Sequence, residues 1–343
     1  MRESVSYWRE GFTRLIKNKI AVTSAAVIIL FLVAAFIVPS FYPYSYKQQI
    51  RGSENLMPMQ YSETERARRA GGERVFPHLM GTDQLGRDTM VRLLMGSRIS
   101  LLVGIIASGI ILLIGSTYGA IAGYFGGKTD IIMMRVVDMI YTVPDILIII
   151  LLLVTLKYPL QHLAETVSAF GWINVVGVPM ICIFITFSLL YWVGMARIVR
   201  GQILSLKRQE YITAAKALGS SHGRIIRKHL LTNCIGTLIV TTTLQIPGSI
   251  FTESFLSFLG LGVAAPMPSL GSMASDALSG IRSYPHRLLS ATVMISLMIL
   301  SFNLLGDGLR DAFDPKLKHG EAFVPAKRSH RRVDAVKQRI TDR

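Results

Sequence analysis

Ile20-Ala21-Val22-Thr23-Ser24-Ala25-Ala26-Val27-Ile28-Ile29-Leu30-Phe31-Leu32-Val33-Ala34-Ala35-Phe36-Ile37-Val38 runs without a charged residue and is closed by Pro39. About 20 apolar residues in helical form cross a bilayer's hydrocarbon core, so this stretch reads as a membrane span. Arg2, Arg9, Arg14, Lys17 and Lys19 precede it. Cationic residues collect on the cytoplasmic side of membrane helices, which places the N-terminus in the cytoplasm. A cleavable leader would have a shorter apolar region and a small-residue cleavage site. The stretch is therefore expected to stay in the protein as a helix.

Working outward, five more apolar runs follow: Ile99–Ala122, Ile131–Leu156, Trp172–Ala196, Cys234–Phe251 and Leu288–Leu305. The chain has 343 residues, 51% of them hydrophobic and 17% charged, too little charge for a soluble protein of this length. The expected fold class is an all-α integral membrane protein of six transmembrane helices with both termini cytoplasmic. Arg197, Arg200, Lys207, Arg208, Lys216, Arg224, Arg227 and Lys228 fall in one inter-helix segment, which that layout makes cytoplasmic. Residues 43–97, with Arg66, Arg68, Arg69, Arg74, Arg87 and Arg92, run against the rule, which weakens for loops this long. The net charge of +16 is thus membrane topology rather than nucleic-acid binding, for which stacking aromatics among the basic residues are missing. The basic stretch Lys327–Arg343 reads as a segment drawn to anionic lipid headgroups. Cys182 and Cys234 both lie in apolar runs and lack disulfide or metal-site spacing.

Between the fourth and fifth runs stands Gln209-Glu210-Tyr211-Ile212-Thr213-Ala214-Ala215-Lys216-Ala217-Leu218-Gly219. Tyr211, Ala214, Ala215 and Leu218 follow the spacing of one helical face. Gly219 supplies a left-handed stop, and Ser220 or Ser221 starts a second short helix. Two adjacent alanines make a poor lipid anchor but permit close approach to a protein, so insertion into a partner's groove is favoured over lying in the headgroups.

This segment resembles the EAA loop of bacterial ABC importer permeases. Ala214, Ala215 and Gly219 match its spacing, while Thr213 stands where the family often has Glu and Thr232 where it usually has Pro; Glu210 offers an acidic group one turn earlier. Gly81-Thr82-Asp83-Gln84-Leu85-Gly86-Arg87-Asp88, Glu253 to Val263, and Asn303 to Asp311 with Asp314-Pro315 look like signatures of the C-type permease of dipeptide, oligopeptide and nickel importers. The resemblance implies a subunit divided into a cytoplasmic segment 1–19, a first transmembrane helix 20–42, an extracytoplasmic loop 43–97, a five-helix core 98–310 holding a coupling loop 199–232, and a basic cytoplasmic tail 311–343. It implies a place in the bacterial cell membrane and partnership with a second homologous permease, two cytoplasmic ATPase subunits and an extracytoplasmic substrate-binding protein. ATP and Mg would then be bound by partner subunits, with no cofactor on this chain; no GxxxxGK[ST] occurs in it. The residues expected to meet the ATPase are Glu210, Tyr211, Ala214, Ala215, Leu218, Gly219, Ser220 and Arg224. The expected cargo is oligopeptide, with nickel chelates or glutathione as alternatives, and the alternative to an ATP-driven importer is an ion-coupled secondary transporter.

Intramembrane polar and kinked positions give candidates for the pathway. Asp145 follows Pro144 inside the third run, Pro247 precedes Gly248 in the fifth, and Glu253 sits near that run's outer end, in reach of solvent. Arg135 and Asp138, three apart, are expected to pair with each other. On this reading Gly219→Pro or Ala215→Glu uncouples transport without removing the protein from the membrane, seen as lost uptake at unchanged membrane content.

Overall fold

Hydrocarbon offers no water to backbone N–H and C=O groups, so a spanning segment must satisfy them internally, which a helix does. The computed structural model of the chain describes residues 7–167, 170, 173, 176–263 and 265–313. Among these, the structure is helical, with one isolated antiparallel bridge between Thr82 and Asp88 and no named strand. The basic tail from residue 314 onward, the Asp314-Pro315 signature, residues 1–6 and the expected fourth-span start at Trp172 lie outside the described residues.

Among the described residues, six helices are long and apolar enough to cross a membrane. A short amphipathic α1 (Tyr7–Lys17) leads to the first of them, α2 (Lys19–Phe41). Asn18 caps α2, its side-chain oxygen accepting from the backbone of Ile20 and Ala21. A surface helix α3 (Glu63–Ala70) lies in the long connection that follows. The second span, α4 (Thr89–Phe125), is capped by Asp88 through the Val91 amide at 2.9 Å. It starts inside the segment assigned above to the loop. Its first turns continue through Gly96 into the apolar run from Ile99 as one helix, with no Pro to break it.

The third run is corrected most. Instead of one span over Ile131–Leu156, the chain forms α5 (Gly127–Thr142) and then α6 (Asp145–Thr166). Pro144 forces the residue before it out of the helical region: Val143 is extended at φ −91°, ψ 135°. The third candidate span is therefore α6. Next come the fourth span α7 (Val178–Leu206), the short helix α8 (Glu210–Ala217), the fifth span α9 (Ile235–Phe258), α10 (Leu270–Ala277) and the sixth span α11 (Pro285–Phe313).

Small residues set the central contact. Gly115, Gly119 and Gly123 lie on one stripe of α4 and let α7 approach backbone to backbone. A Cβ on Gly119 would collide with the Ala196 carbonyl oxygen, and one on Gly123 would stand 2.9 Å from the Ile203 Cβ. Two apolar clusters flank this seam. Ile28, Ala35, Leu101, Ile250, Met298 and Phe302 join α2, α4, α9 and α11. Val103, Ala107, Ile149, Leu153, Ile183 and Phe187 join α4, α6 and α7. The outward faces stay apolar, with Leu30, Leu113, Leu147, Leu151 and Leu289 exposed, as a lipid-facing surface requires.

At the end of the bundle opposite α8, the long connection is tied to α4 by a buried charge relay. His78 hydrogen-bonds Asp88 through Nδ1 (2.8 Å) and Glu65 through Nε2 (3.0 Å). Tyr44 stacks on its ring at 4.4 Å. Ser62 and Glu65 also close a capping box on α3. Burial pulls the His78 pKa down, but the hydrogen bonds its ring N–H groups donate to Asp88 and Glu65, with the charges of those carboxylates, outweigh it and raise the value.

Two outcomes follow from these contacts. Gly119→Val should separate α4 from α7 and cost at least about 1–3 kcal/mol, read as loss of a monodisperse peak in detergent. Gly109→Ala, where a Cβ meets nothing within 4 Å, should be near neutral. The raised His78 pKa stabilises the connection fully below the unfolded value of about 6.5, and that contribution fades as pH rises through the folded value. Protease protection of residues 53–88 should therefore fall on the alkaline side, and His78→Gln should remove the pH dependence.

Candidate functional site

The segment after α7 folds into a hook against the end of the bundle. α8 opens with Glu210 in its first turn and closes on a complete Schellman motif. The Gly219 amide donates to Lys216 and the Ser220 amide to Ala215, with Gly219 at φ +75°. After a further short turn (His222–Arg224), Ile225–Leu230 winds as a π-helix. Its i→i+5 spacing brings Ile225 and Leu230 to one buried face.

That face and Ile212 and Ala215 of α8 fill a cluster with Tyr124 of α4 and Val199, Ile203 of α7. Polar contacts lock it: Tyr124 Oη and His222 Nδ1 lie 2.7 Å apart, Lys216 stands over the Tyr124 ring, and Lys207 Nζ donates to the Gly123 carbonyl (2.8 Å). Asn233 Nδ2 donates to the Tyr211 hydroxyl at 3.3 Å, bracing the two arms of the hook.

The expected docking face divides in two. Tyr211, Ala214 and Leu218 point outward, with Leu218 85% exposed at the tip. Ala215 does not join them: it is buried against the bundle beside Ile212. Periodicity identified a face of small residues, but Ala215 lies one position around the helix, toward Ile212, and the larger Ile212 decides which side turns inward. Glu210 and Arg224 are exposed at the rim and Ser220 is half-buried.

The pathway candidates separate as well. Asp145 stands exposed at the first turn of α6, its Oδ1 accepting from the Ile146 amide and its Oδ2 lying 3.4 Å from the Tyr191 hydroxyl. With Tyr141, Thr142, Pro144, Tyr191 and Gly194 it lines a cleft of about 420 Å³ along the α5–α6 break. Pro247 is buried inside α9. Glu253 is not in reach of solvent at all: it is 0% exposed, and Ser100 and Ser257 donate to it at 2.7 and 2.8 Å, Ser254 at 3.3 Å. It ties α9 to α4 and is a structural acceptor. Arg135 and Asp138 do not pair as expected; Asp138 accepts from Arg197 of α7 at 2.8 Å, and that guanidinium also lies over the Tyr141 ring.

Sequence reasoning passed over Tyr124, His222, Asn233 and the bidentate pair of Arg200 with Asp130 (both contacts 2.6 Å). The Asp130–Arg200 partners stand 70 residues apart, beyond any local pattern. The one usable signal was Ile212, the only aliphatic side chain larger than alanine's in α8.

Residues 115–319 match the family model described as the binding-protein-dependent transport system inner membrane component, and residues 6–58 match the N-terminal TM domain of oligopeptide transport permease C. The chain is similar to the oligopeptide transport system permease protein OppC of Bacillus subtilis (strain 168), 40% identical over 92% of each chain. It is 42% identical to the dipeptide transport system permease protein DppC of the same organism, over 92% of this chain and 88% of that one. A glutathione transport system permease protein, GsiD of Pectobacterium atrosepticum, is 34% identical over 91% of this chain and 92% of its own.

The divided face changes what a charge does at two adjacent alanines. Ala215→Glu buries an unpaired carboxylate and should cost several kcal/mol, visible as a large loss of thermal stability in detergent. Ala214→Glu, on the open side, should leave stability within about 0.5 kcal/mol.

Proposed function

Because the chain belongs to the family of inner membrane components of binding-protein-dependent transport systems, we propose that its hook is the surface on which a cytoplasmic ATPase acts to drive peptide import. The chain is a multi-pass membrane permease subunit of an ABC transport system, a non-catalytic component. The rest of the reading concerns how it is oriented, what it meets and what it carries.

The hook end is the cytoplasmic end. Arg197 to Lys228 concentrates cationic residues there, and the N-terminal α1 with Arg14 and Lys17 leads into the first span from the same side. Two cytoplasmic ATPase subunits, which bind ATP and Mg, meet this chain and a second homologous permease, and an extracytoplasmic binding protein delivers cargo at the far end. The observation that carries the docking role is the open edge of α8: Tyr211, Ala214 and Leu218 turned outward while Ile212 and Ala215 fix the helix to α4 and α7. A rigidly seated helix with an exposed apolar tip suits insertion into a partner's groove, and its seating passes motion to the spans. The cleft around Asp145 faces the second permease and forms part of the pathway.

The cargo class is peptide, with oligopeptides favoured by the similarity to an oligopeptide permease over 92% of the chain and by the separate match at its N-terminus. Dipeptide and glutathione permeases stand close by. Leu218→Glu tests the hook: ATPase co-purifying with the chain should fall at least tenfold, with peptide uptake lost and membrane content unchanged. Undiminished ATPase recovery from that variant would remove the docking role, and uptake by the chain alone in vesicles without ATP would remove the ATP-driven reading altogether.

A further inference from the structure

At the end of the bundle opposite the hook, a cavity of about 300 Å³ opens between the start of α4, α10 and the start of α11. Arg87, Arg92 and Arg287 line it, with Asp83 and Asp276. Three guanidiniums against two carboxylates leave one positive charge. The two carboxylates do not use it up. Asp83 is committed: it accepts from Arg87 Nε at 2.6 Å and from the Leu85 and Arg87 amides, with Arg92 Nε 3.5 Å away. Asp276 stands at the mouth, 62% exposed, 3.8 and 3.9 Å from Arg92 and Arg87, beyond hydrogen-bond distance.

The two deepest arginines keep donors in reserve. Arg92 is 4% exposed and Arg287 6%. Arg92 Nη1, Arg287 Nε and Arg287 Nη2 are buried and have no hydrogen-bond acceptor among the described residues. A buried, incompletely paired guanidinium is costly to maintain. Nε and Nη2 form one edge of the guanidinium plane, the edge whose two parallel N–H bonds match both oxygens of a carboxylate. The Tyr284 ring, 4.4 Å from the Arg287 guanidinium carbon, holds that plane in position.

We propose that this cavity is a binding site for the C-terminal carboxylate of a short peptide, taken side-on by Nε and Nη2 of Arg287 with Arg92 Nη1 as a further donor. The loosely held Asp276 at the mouth supplies the counter-charge for the ammonium end of such a zwitterion. The cavity's size suits a ligand of this class, at the lower end of small-molecule sites. The choice of peptide as ligand rests on the transport reading above; the carboxylate chemistry rests on the arginines alone.

The test is calorimetric titration of the full chain in lipid nanodiscs with dialanine, dialanine amide and acetate. Dialanine should bind and the amide at least tenfold more weakly, with acetate competing. Arg287→Gln should weaken dialanine at least tenfold. Should that variant fail to fold, Ser279→Phe narrows the mouth from an exposed rim position without touching either arginine, and should also abolish binding. Equal affinity for dialanine and its amide, no heat with dialanine or acetate, or unchanged binding in both variants overturns the site. Acetate binding without dialanine binding overturns the peptide ligand. ATPase co-purification with the wild-type chain is scored separately: it reports on the transport reading, so loss of either leaves the other standing or fallen on its own result.

Discussion

The close approach of α4 and α7 along Gly115, Gly119 and Gly123 is the contact on which the rest of the molecule depends. Lipid gives helices no hydrophobic reason to associate, so small residues that allow backbone contact do much of that work. Here the stripe ends one residue before Tyr124, and this position has consequences. With α7 held against α4, Val199 and Ile203 stand beside Tyr124 and form the floor on which Ile212, Ala215, Ile225 and Leu230 seat. The hook therefore has no independent core. Its placement is a continuation of the helix seam, and Lys207 reaching back to the Gly123 carbonyl closes the seam at that end.

The break at Pro144 is the second constraint, and it works by subtraction. A proline lacks the N–H that a helix needs and pushes Val143 into an extended conformation. An uninterrupted span would have buried Asp145 in mid-helix, where a carboxylate is expensive. Ending α5 and starting α6 at that point gives Asp145 a helix N-terminus, whose amide of Ile146 donates to it at 2.9 Å. The same break opens the cleft between Tyr141 and Tyr191. One residue thus relieves the charge and shapes the cavity.

Much of the fold was legible because its signals are local. Apolar length marks spans, and five of the six expected runs coincide with the observed ones to within a few turns. The GxxxG spacing of Gly115 and Gly119 is itself a local signal of close helix approach, and Gly219 marks the end of α8. What escaped was non-local. Glu253 read as a solvent-facing residue because its acceptor role depends on Ser100, 153 residues away, as well as on Ser257 in its own helix. Ala215 read as a docking residue because alanine carries no signal of which face is inward; Ile212 does, but only once the floor formed by α4 and α7 is known. Arg135 and Asp138 satisfied a helical spacing rule, yet Arg197 from the packed neighbour lay closer to Asp138 than its own helix could offer. Spacing rules measure proximity along one element and say nothing about competition from another.

One helix reaches from the arginine cavity to the hook. α4 runs 37 residues, from Thr89 beside the arginine cavity to Phe125 beside the hook. At about 1.5 Å per residue it is roughly 55 Å long, well beyond the hydrocarbon core of about 30 Å. Arg92 belongs to its first turn and Tyr124 to its last, so neither end can shift along the helix axis without the other. Its Asp88 cap fastens it to the His78 relay at one end, and the hook fastens it to α7 at the other. The contacts from α8 to the seam and along α4 form one continuous packed path. Glu253 adds a cross-tie from α9 to Ser100, a few turns below the cavity. A carboxylate acceptor shared among serines of α4 and α9 keeps these helices in register there, so the arginine end and the hook are tied to the same two spans.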